Sequence, residues 1–340
     1  MYHLYNKVLA GLLLALLAGG LIATALLDPL DGDLTRLGGY SENRFGWTLP
    51  QARFAPPLAT PGGRDIVVIG DSFSSATSPD RAHRAGMFWT DHLAARTGLA
   101  VGVFAIATTP LGRLLDTLAT APPRLVVLEV VERGLGRLPM LPGICVPAPS
   151  RLADLPRAAA TAAREFARPR AAWPDPARLG EALGQLGTSL ERLPGGRDIN
   201  KVRQRPLSRV DLFSSADPAT LLFYNEDLDR RAWTEADWAT IACRIRAIQA
   251  AVRARLGAAF LVLVAPDKSS AYAPYLPAAD RPIDAIARLA ALPDLPLVRA
   301  DLALRRLIDA GTRDVYLPND THWGSAGAAA AAEAVLAHGR

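Results

Sequence analysis

The stretch Val67-Val68-Ile69-Gly70-Asp71-Ser72-Phe73-Ser74 constrains this chain more than any other. An apolar run long enough for one buried strand stops at a glycine, and a serine with small or polar neighbours follows at once. A serine at a sharp turn after a strand stands at the carboxyl edge of a parallel sheet, where open α/β folds keep their sites. Gly-Asp-Ser is also ordinary turn chemistry, so the functional reading draws its force from the far end of the chain. There Asn319-Asp320-Thr321-His322-Trp323 precedes a last alanine-rich segment. An Asp-x-His pair supplies the two remaining roles of a serine triad from one loop: His322 as base for Ser72, and Asp320 to orient the imidazole and stabilise its charged form.

Between these ends the chain alternates. Strands are expected at residues 65–69, 100–105, 125–131 and 259–264, with a shorter one at 297–300. Apolar residues at helical spacing predict helices at 87–97, 235–256, 281–292, 302–310 and 324–336. Alternation of this kind argues for a parallel sheet with helices on both faces. Ser72 and His322 then both follow strands at one edge, so the fold brings together residues that the sequence holds far apart. From 134 to about 233 the character changes to loop chemistry, with helices expected at 151–168 and 178–193 and short strands or a lid at 203–224. This stretch reads as an insertion covering one side of the cleft, within a domain running from 65 to 340.

Residues 8–27 are uncharged, mostly apolar and about as long as a bilayer-spanning helix. Lys7 precedes them and Asp28, Asp31 and Asp33 follow, so the positive-inside bias exports everything after them. A cleaved signal peptide ending near Ala23-Thr24-Ala25 gives the same exported domain; the uncleaved anchor is preferred because the apolar run continues past Ala25. Residues 1–30 thus form the anchor or signal, and residues 31–64 a lead-in. Tyr40, Phe45 and Trp47 mark the lead-in as ordered and packed on the domain, with Glu42, Asn43 and Arg44 tying it down or reaching the site.

In an oxidising compartment Cys145 and Cys243 can form a disulfide or stay two separate buried thiols. Five scattered histidines and two isolated cysteines offer no metal-ligand spacing, and no cofactor is implied. A net charge of +5, spread mostly as single arginines without interleaved aromatics, excludes a nucleic-acid stripe.

Gly70-Asp71-Ser72-Phe73 with Asp320-x-His322 resembles the first and last blocks of the SGNH (GDSL) hydrolase superfamily, which implies a flavodoxin-like parallel sheet. Asp320-Thr321-His322-Trp323, with 126–133 (Val-Val-Leu-Glu-Val-Val-Glu-Arg), resembles more narrowly the alginate-acetyltransferase-like branch, whose members O-acetylate bacterial exopolysaccharides in the periplasm. In the alginate enzymes the Asp-x-His pair precedes the serine; here Ser72 comes first, as in ordinary SGNH hydrolases. The resemblance implies an oxyanion-binding glycine after the second strand, best matched by Gly112, with a plain helix-initiating turn as the alternative. It also implies an asparagine donor after the third strand, and none is present. There either Arg133 stabilises the oxyanion or Glu132 and Arg133 pair to shape the rim.

Pro266-Asp267-Lys268 followed by Tyr272 is similar to the same branch, so Lys268 and Tyr272 are candidates to hold a substrate hydroxyl or carboxylate, unless Lys268 pairs with Asp267. Trp89, Trp233 and Trp323 are candidate sugar platforms or core residues. The expectation is a periplasmic O-acetyltransferase held at the inner membrane. Its acceptor is an exopolysaccharide hydroxyl, it works through an acetyl-serine, and a membrane-bound O-acyltransferase supplies the acetyl group. An acetyl esterase and an inactive polysaccharide-binding scaffold are the other readings.

Overall fold

The computed structural model describes residues 2–26, 31–75, 84–141, 145, 153–159, 161–168, 176–195 and 198–338. In chain order, helix α1 (Tyr2–Leu26) leads to short helices α2 (Asp33–Gly38) and α3 (Glu42–Phe45) and to strand β1 (Gln51–Arg53). Then come β2 (Ile66–Gly70), α4 (Trp89–Thr97), β3 (Val101–Ala105), α5 (Leu111–Leu118) and β4 (Leu125–Val131). The next part holds β5 (Arg164–Phe166), α6 (Leu179–Gly195), β6 (Asp198–Ile199), β7 (Val202–Pro206) and β8 (Thr220–Tyr224). The last part holds α7 (Glu235–Leu256), β9 (Ala259–Ala265), α8 (Lys268–Ala271), α9 (Ala285–Ala290), β10 (Leu297–Val298), α10 (Ala300–Asp309) and α11 (Ser325–His338).

Five strands form one parallel sheet in the order β10-β9-β4-β2-β3. Because side chains alternate across a strand, each central strand feeds two cores. Ile66, Val68, Leu125, Val127, Leu261 and Leu263 face one side, under Trp89 and Leu93 of α4, Leu304 and Ile308 of α10, and the alanine face of α11. Val67, Ile69, Val126, Leu128, Val262 and Val264 face the other, under α5, α7 and α9. Strands buried on both faces read as continuous β-branched runs, which is why β2, β4 and β9 stand out in the sequence. Helix α7 is bounded by a Thr234–Asp237 capping box and by Gly257 in the left-handed region, φ 61°.

From β2 the chain builds outward to β3 and then returns to place β4 on the other side of β2. The crevice at the carboxyl ends of β2 and β4 is therefore a topological switch point, the usual place for a site in an open sheet.

The segment between β4 and α7 differs from expectation. Residues 153–159 and 161–168 contain no helix, and Arg164–Phe166 instead pairs antiparallel with Gln51–Arg53. Alanine richness is a weak prior that tertiary pairing overrides. Helix α6 forms where expected, and β6, β7 and β8 make a small antiparallel sheet. Leu34, Tyr40 and Phe45 of the lead-in pack on Val202 and Leu222 of that sheet, which orders the lead-in. The 281–292 segment is helical only over Ala285–Ala290, with Asp284 capping it through the Ala287 N–H.

Helix α1 is long and apolar enough over Tyr2–Thr24 to cross a membrane, with mean hydropathy 2.0. It is a membrane anchor or a signal sequence. Its last turn contacts Arg178, whose Nη1 donates to the Thr24 carbonyl at 3.2 Å. Cys145 and Cys243 are bonded, their Cα atoms 4.7 Å apart.

Candidate active site

The turn after β2 is held from below by carboxylates. Asp71 Oδ1 accepts from the Phe73 N–H at 2.9 Å and Oδ2 from the Val131 N–H at 2.8 Å, fastening the turn to the end of β4. Glu129 Oε2 accepts from the Asp71 N–H at 3.0 Å and from Ser74 Oγ at 2.7 Å. Gly70 is required by this closeness, since a Cβ there would lie 2.7 Å from Glu129 Oε2. Burial, and then the adjacent Asp71 charge, pushes the Glu129 carboxyl well above the usual carboxylate range. Trp89 Nε1 donates to Ser74 Oγ at 3.1 Å, and Thr90 Oγ1 to the Ser74 carbonyl at 2.9 Å. Ser72, partly exposed, is thereby presented at the crevice.

The Asp-His loop meets it from the other side. His322 Nε2 lies 2.7 Å from Ser72 Oγ, and His322 Nδ1 lies 2.5 Å from Asp320 Oδ1. Asp320 Oδ1 also accepts from the His322 N–H at 2.8 Å, and Arg84 Nη1 stands 3.0 Å from Asp320 Oδ2. The Phe73 ring packs on the imidazole, centroids 4.6 Å apart, and on Trp323 at 4.9 Å. Ser72, His322 and Asp320 form one hydrogen-bonded chain that can carry a proton from the hydroxyl to the imidazole.

Behind the loop lies Lys268, fully buried. Its Nζ donates to the carbonyls of Leu317 at 2.8 Å, Pro318 at 2.9 Å and Asp320 at 3.1 Å. Burial lowers its pKa to about 7, against the pull of Asp320, Asp33 and Asp314. Three donors meet three carbonyls, so this lysine shapes the loop and has no surface to offer a substrate. Tyr272 is equally buried, its OH accepting from the Tyr316 N–H at 3.4 Å. Trp89 and Trp323 are buried in the core; Trp233 stacks edge-on against Trp238 at 5.0 Å.

Gly112 is the second residue of α5 rather than a turn glycine, and its N–H, like that of Ser72, has no hydrogen-bond partner among the described residues. Arg133 does not pair with Glu132. Its Nη1 stands 2.5 Å from Asp267 Oδ1 and 3.7 Å from Asp227 Oδ1, and its guanidinium lies 5.0 Å from the Tyr224 ring centroid. Glu132 instead accepts from the Asp267 N–H at 2.9 Å and the Ala285 N–H at 3.1 Å and pairs with Arg230 at 3.3 Å. Arg133 is therefore committed to carboxylates. A cavity of about 180 Å³ beyond β9 and β10 is lined by Glu132, Ser270, Asp284, Arg299 and Arg305, and not by Ser72 or His322.

Asp33, Asp320 and His322 bring ligand-type atoms within 4.8 Å of one another. Those atoms face Ser72, Thr321, Arg84 and each other, a hydrogen-bonded relay rather than a vacant metal cradle. Sequence reasoning missed Asp33, Arg84, Asn319 and the Glu129 support. Glu129 alone carried a signal, as an acid inside an apolar strand.

A parallel sheet with helices on both faces, together with a family-model match in the C-terminal part, makes this an SGNH hydrolase-like fold of acyltransferase or esterase type. More narrowly, residues 220–340 match the family model of the SGNH hydrolase-like domain, acetyltransferase AlgX. That span includes Lys268 and the Asp-His loop but not Ser72, whose place rests on the geometry. Comparison with curated proteins and with solved structures gives no match.

Proposed function

We propose that this chain is an exported O-acetyltransferase that passes acetyl groups through Ser72 to hydroxyls of a bacterial exopolysaccharide. The observation that carries the reading is the Ser72–His322–Asp320 hydrogen-bonded chain at the switch point, within reach of solvent. His322 takes the Ser72 proton as Oγ attacks an acetyl carbonyl, and Asp320 stabilises the imidazolium. The N–H groups of Ser72 and Gly112 are the candidate donors to the oxyanion. The tetrahedral intermediate collapses as His322 returns the proton to the departing oxygen, leaving acetyl-Ser72. A sugar hydroxyl then gives its proton to His322 and attacks the acetyl-serine; the second tetrahedral intermediate breaks its bond to Ser72 Oγ, which takes the proton back from His322, and the sugar leaves acetylated.

The acetyltransferase description over 220–340 favours transfer over hydrolysis. An exported domain has no acetyl-CoA at hand, so a membrane-bound O-acyltransferase is the proposed supplier and the inner membrane, reached through α1, the proposed location. The esterase is the second reading, because water entering where the sugar hydroxyl stands uses the same residues.

The test presents the chain with an acetyl-ester donor and oligosaccharide acceptors and follows acetylated sugar and free acetate for wild type and Ser72→Ala. We expect acetylated sugar that depends on Ser72, with a loss of about 10³-fold or more in the variant. Acetate alone, indifferent to acceptor, selects the esterase; equal activity of both proteins overturns the nucleophile.

A further inference from the structure

The imidazole of His322 faces a second carboxylate that comes from the residues joining α1 to the domain. Asp33, at the start of α2, is almost fully buried. Its Oδ1 accepts from the Thr321 N–H at 2.9 Å and its Oδ2 from Thr321 Oγ1 at 2.6 Å. The same Oδ2 stands 3.7 Å from His322 Nδ1, while the Asp33 N–H donates to Asp320 Oδ2 at 3.1 Å. One residue thus grips the middle of the Asp-x-His motif with its side chain and the motif's aspartate with its backbone.

The grip is built in depth. The Leu34 and Thr35 N–H groups both donate to the Asn319 carbonyl, at 3.2 and 3.3 Å. Asn319 Nδ2 donates to Glu42 Oε2 at 2.9 Å, and Glu42 Oε1 accepts from the Gly32 N–H at 3.2 Å and meets the Thr35 hydroxyl. A Cβ on Gly32 would run into the Asn319 backbone, so strap and loop are in direct contact.

Asp320 shares its charge with Arg84 at 3.0 Å, and the Lys268 ammonium bonds its carbonyl. A cation forming on His322 is therefore served by two carboxylates, Asp320 at 2.5 Å and Asp33 at 3.7 Å from Nδ1, both also in the field of the Lys268 ammonium. In a site this dry a charge under 4 Å away is weakly screened. We propose that Asp33 is a positioning residue for the acyl-transfer step. It fixes the Thr321–His322 backbone and supplies the second negative charge beside the imidazole, making the juxtamembrane strap a part of the site. The inference rests on the reading of Ser72 and His322 given above.

The test uses the full chain in detergent with a chromogenic acetyl ester and a fluorophosphonate that labels an activated serine. Asp33→Asn keeps an acceptor oxygen for Thr321 and removes the charge. We expect kcat and the labelling rate constant to fall together by about 10- to 100-fold, a share of the 10²–10⁴ that general base catalysis carries, with KM within about twofold. A residue that merely holds the fold would lower the amount of labelled protein and leave the rate constant alone. Thr321→Val, which loosens the loop without touching the charge, is expected to lose less; a loss equal to that of Asp33→Asn overturns the electrostatic role. Should Asp33→Asn not fold, Asp33→Ser carries the same comparison. Wild-type labelling rates in the Asp33 variant, beside an inert Ser72→Ala, overturn this inference alone. An ester-splitting, labelled Ser72→Ala overturns the reading beneath it.

Discussion

Two clusters of buried charge stand along the same edge of the sheet, and only one leaves a reactive atom facing out. At the ends of β4 and β9, Glu132, Asp227, Arg230 and Asp267 are wholly buried. Arg230 bridges Asp267 and Glu132, Arg133 caps Asp267 at 2.5 Å, and Ser269 Oγ donates to Asp227 Oδ2 at 2.8 Å. Three acids face two guanidiniums, and burial pushes Asp227 well above the carboxylate range and Glu132 up to about 7. Every one of these groups turns inward. The loop cluster of Asp33, Glu42, Arg84, Lys268 and Asp320 is as buried, yet it turns His322 Nε2 outward to a partly exposed serine. Buried charges of similar kind thus hold geometry in one place and, on the proposed reading, serve proton transfer in the other, and what separates them is a single imidazole edge turned to a partly exposed serine.

The largest effect expected of that contrast is on rate. Asp320→Asn keeps the size of the side chain but leaves the imidazole without its hydrogen-bonded anion, with only Asp33 at 3.7 Å and with an ambiguous tautomer. We expect kcat for ester cleavage to fall about 10³- to 10⁴-fold, roughly 4–5.5 kcal/mol of barrier. Steady-state kinetics on folded protein checks this, and a variant that keeps its kcat would remove the distinction between the clusters. Arg230→Met should do the reverse. Breaking a buried pair strands Glu132 and leaves Asp267 with Arg133 alone, so stability to denaturant is expected to drop by about 3–5 kcal/mol, while kcat per folded molecule stays within about threefold of wild type. If kcat falls with the fold intact, the β4–β9 cluster is coupled to the site.

The sequence made the sheet legible and the strap almost invisible, for one physical reason. Strands buried on both faces must be apolar over their whole length, so β2, β4 and β9 declare themselves, and Leu125–Val131 and Glu235–Leu256 fall where the pattern puts them. Ser72, Asp320 and His322 stand out as a set because their spacing within short loops is itself chemical, and the fold brings them within hydrogen-bond distance of one another. From sequence Lys268 is a candidate substrate ligand or a partner of Asp267 or a helix end; its three carbonyl partners come from a loop some fifty residues on and leave no trace in local pattern. Arg164–Phe166 paired with β1 against its helical composition for the same reason. Asp33 is harder still, since one aspartate after an apolar segment reads first as a topological signal, and only the fold shows that it ends beside an imidazole.

Glu42 offers the finest probe of how tightly the strap belongs to the site cluster. Burial raises its carboxyl from 4.5 to about 7, against the favourable bonds from Thr35 and Gly32. Between those two values the folded chain holds a proton there that the unfolded chain has released. The protonated carboxyl therefore favours folding fully below about pH 4.5, and that contribution is lost as pH rises through 7. Glu42→Gln cannot release the proton. Its amide faces Asn319, whose own Oδ1 has no hydrogen-bond partner among the described residues and can turn to accept it. The difference in unfolding free energy between variant and wild type should therefore shift in favour of the variant by about 2–4 kcal/mol between pH 4.5 and 7.5, and stay flat above. Denaturant melts of both proteins across that range measure it directly. A difference independent of pH would mean that Glu42 is ionised in the folded chain throughout, held by Arg168 and Asn319 as a fixed anion. The strap would then resemble the β4–β9 cluster, a matter of geometry alone.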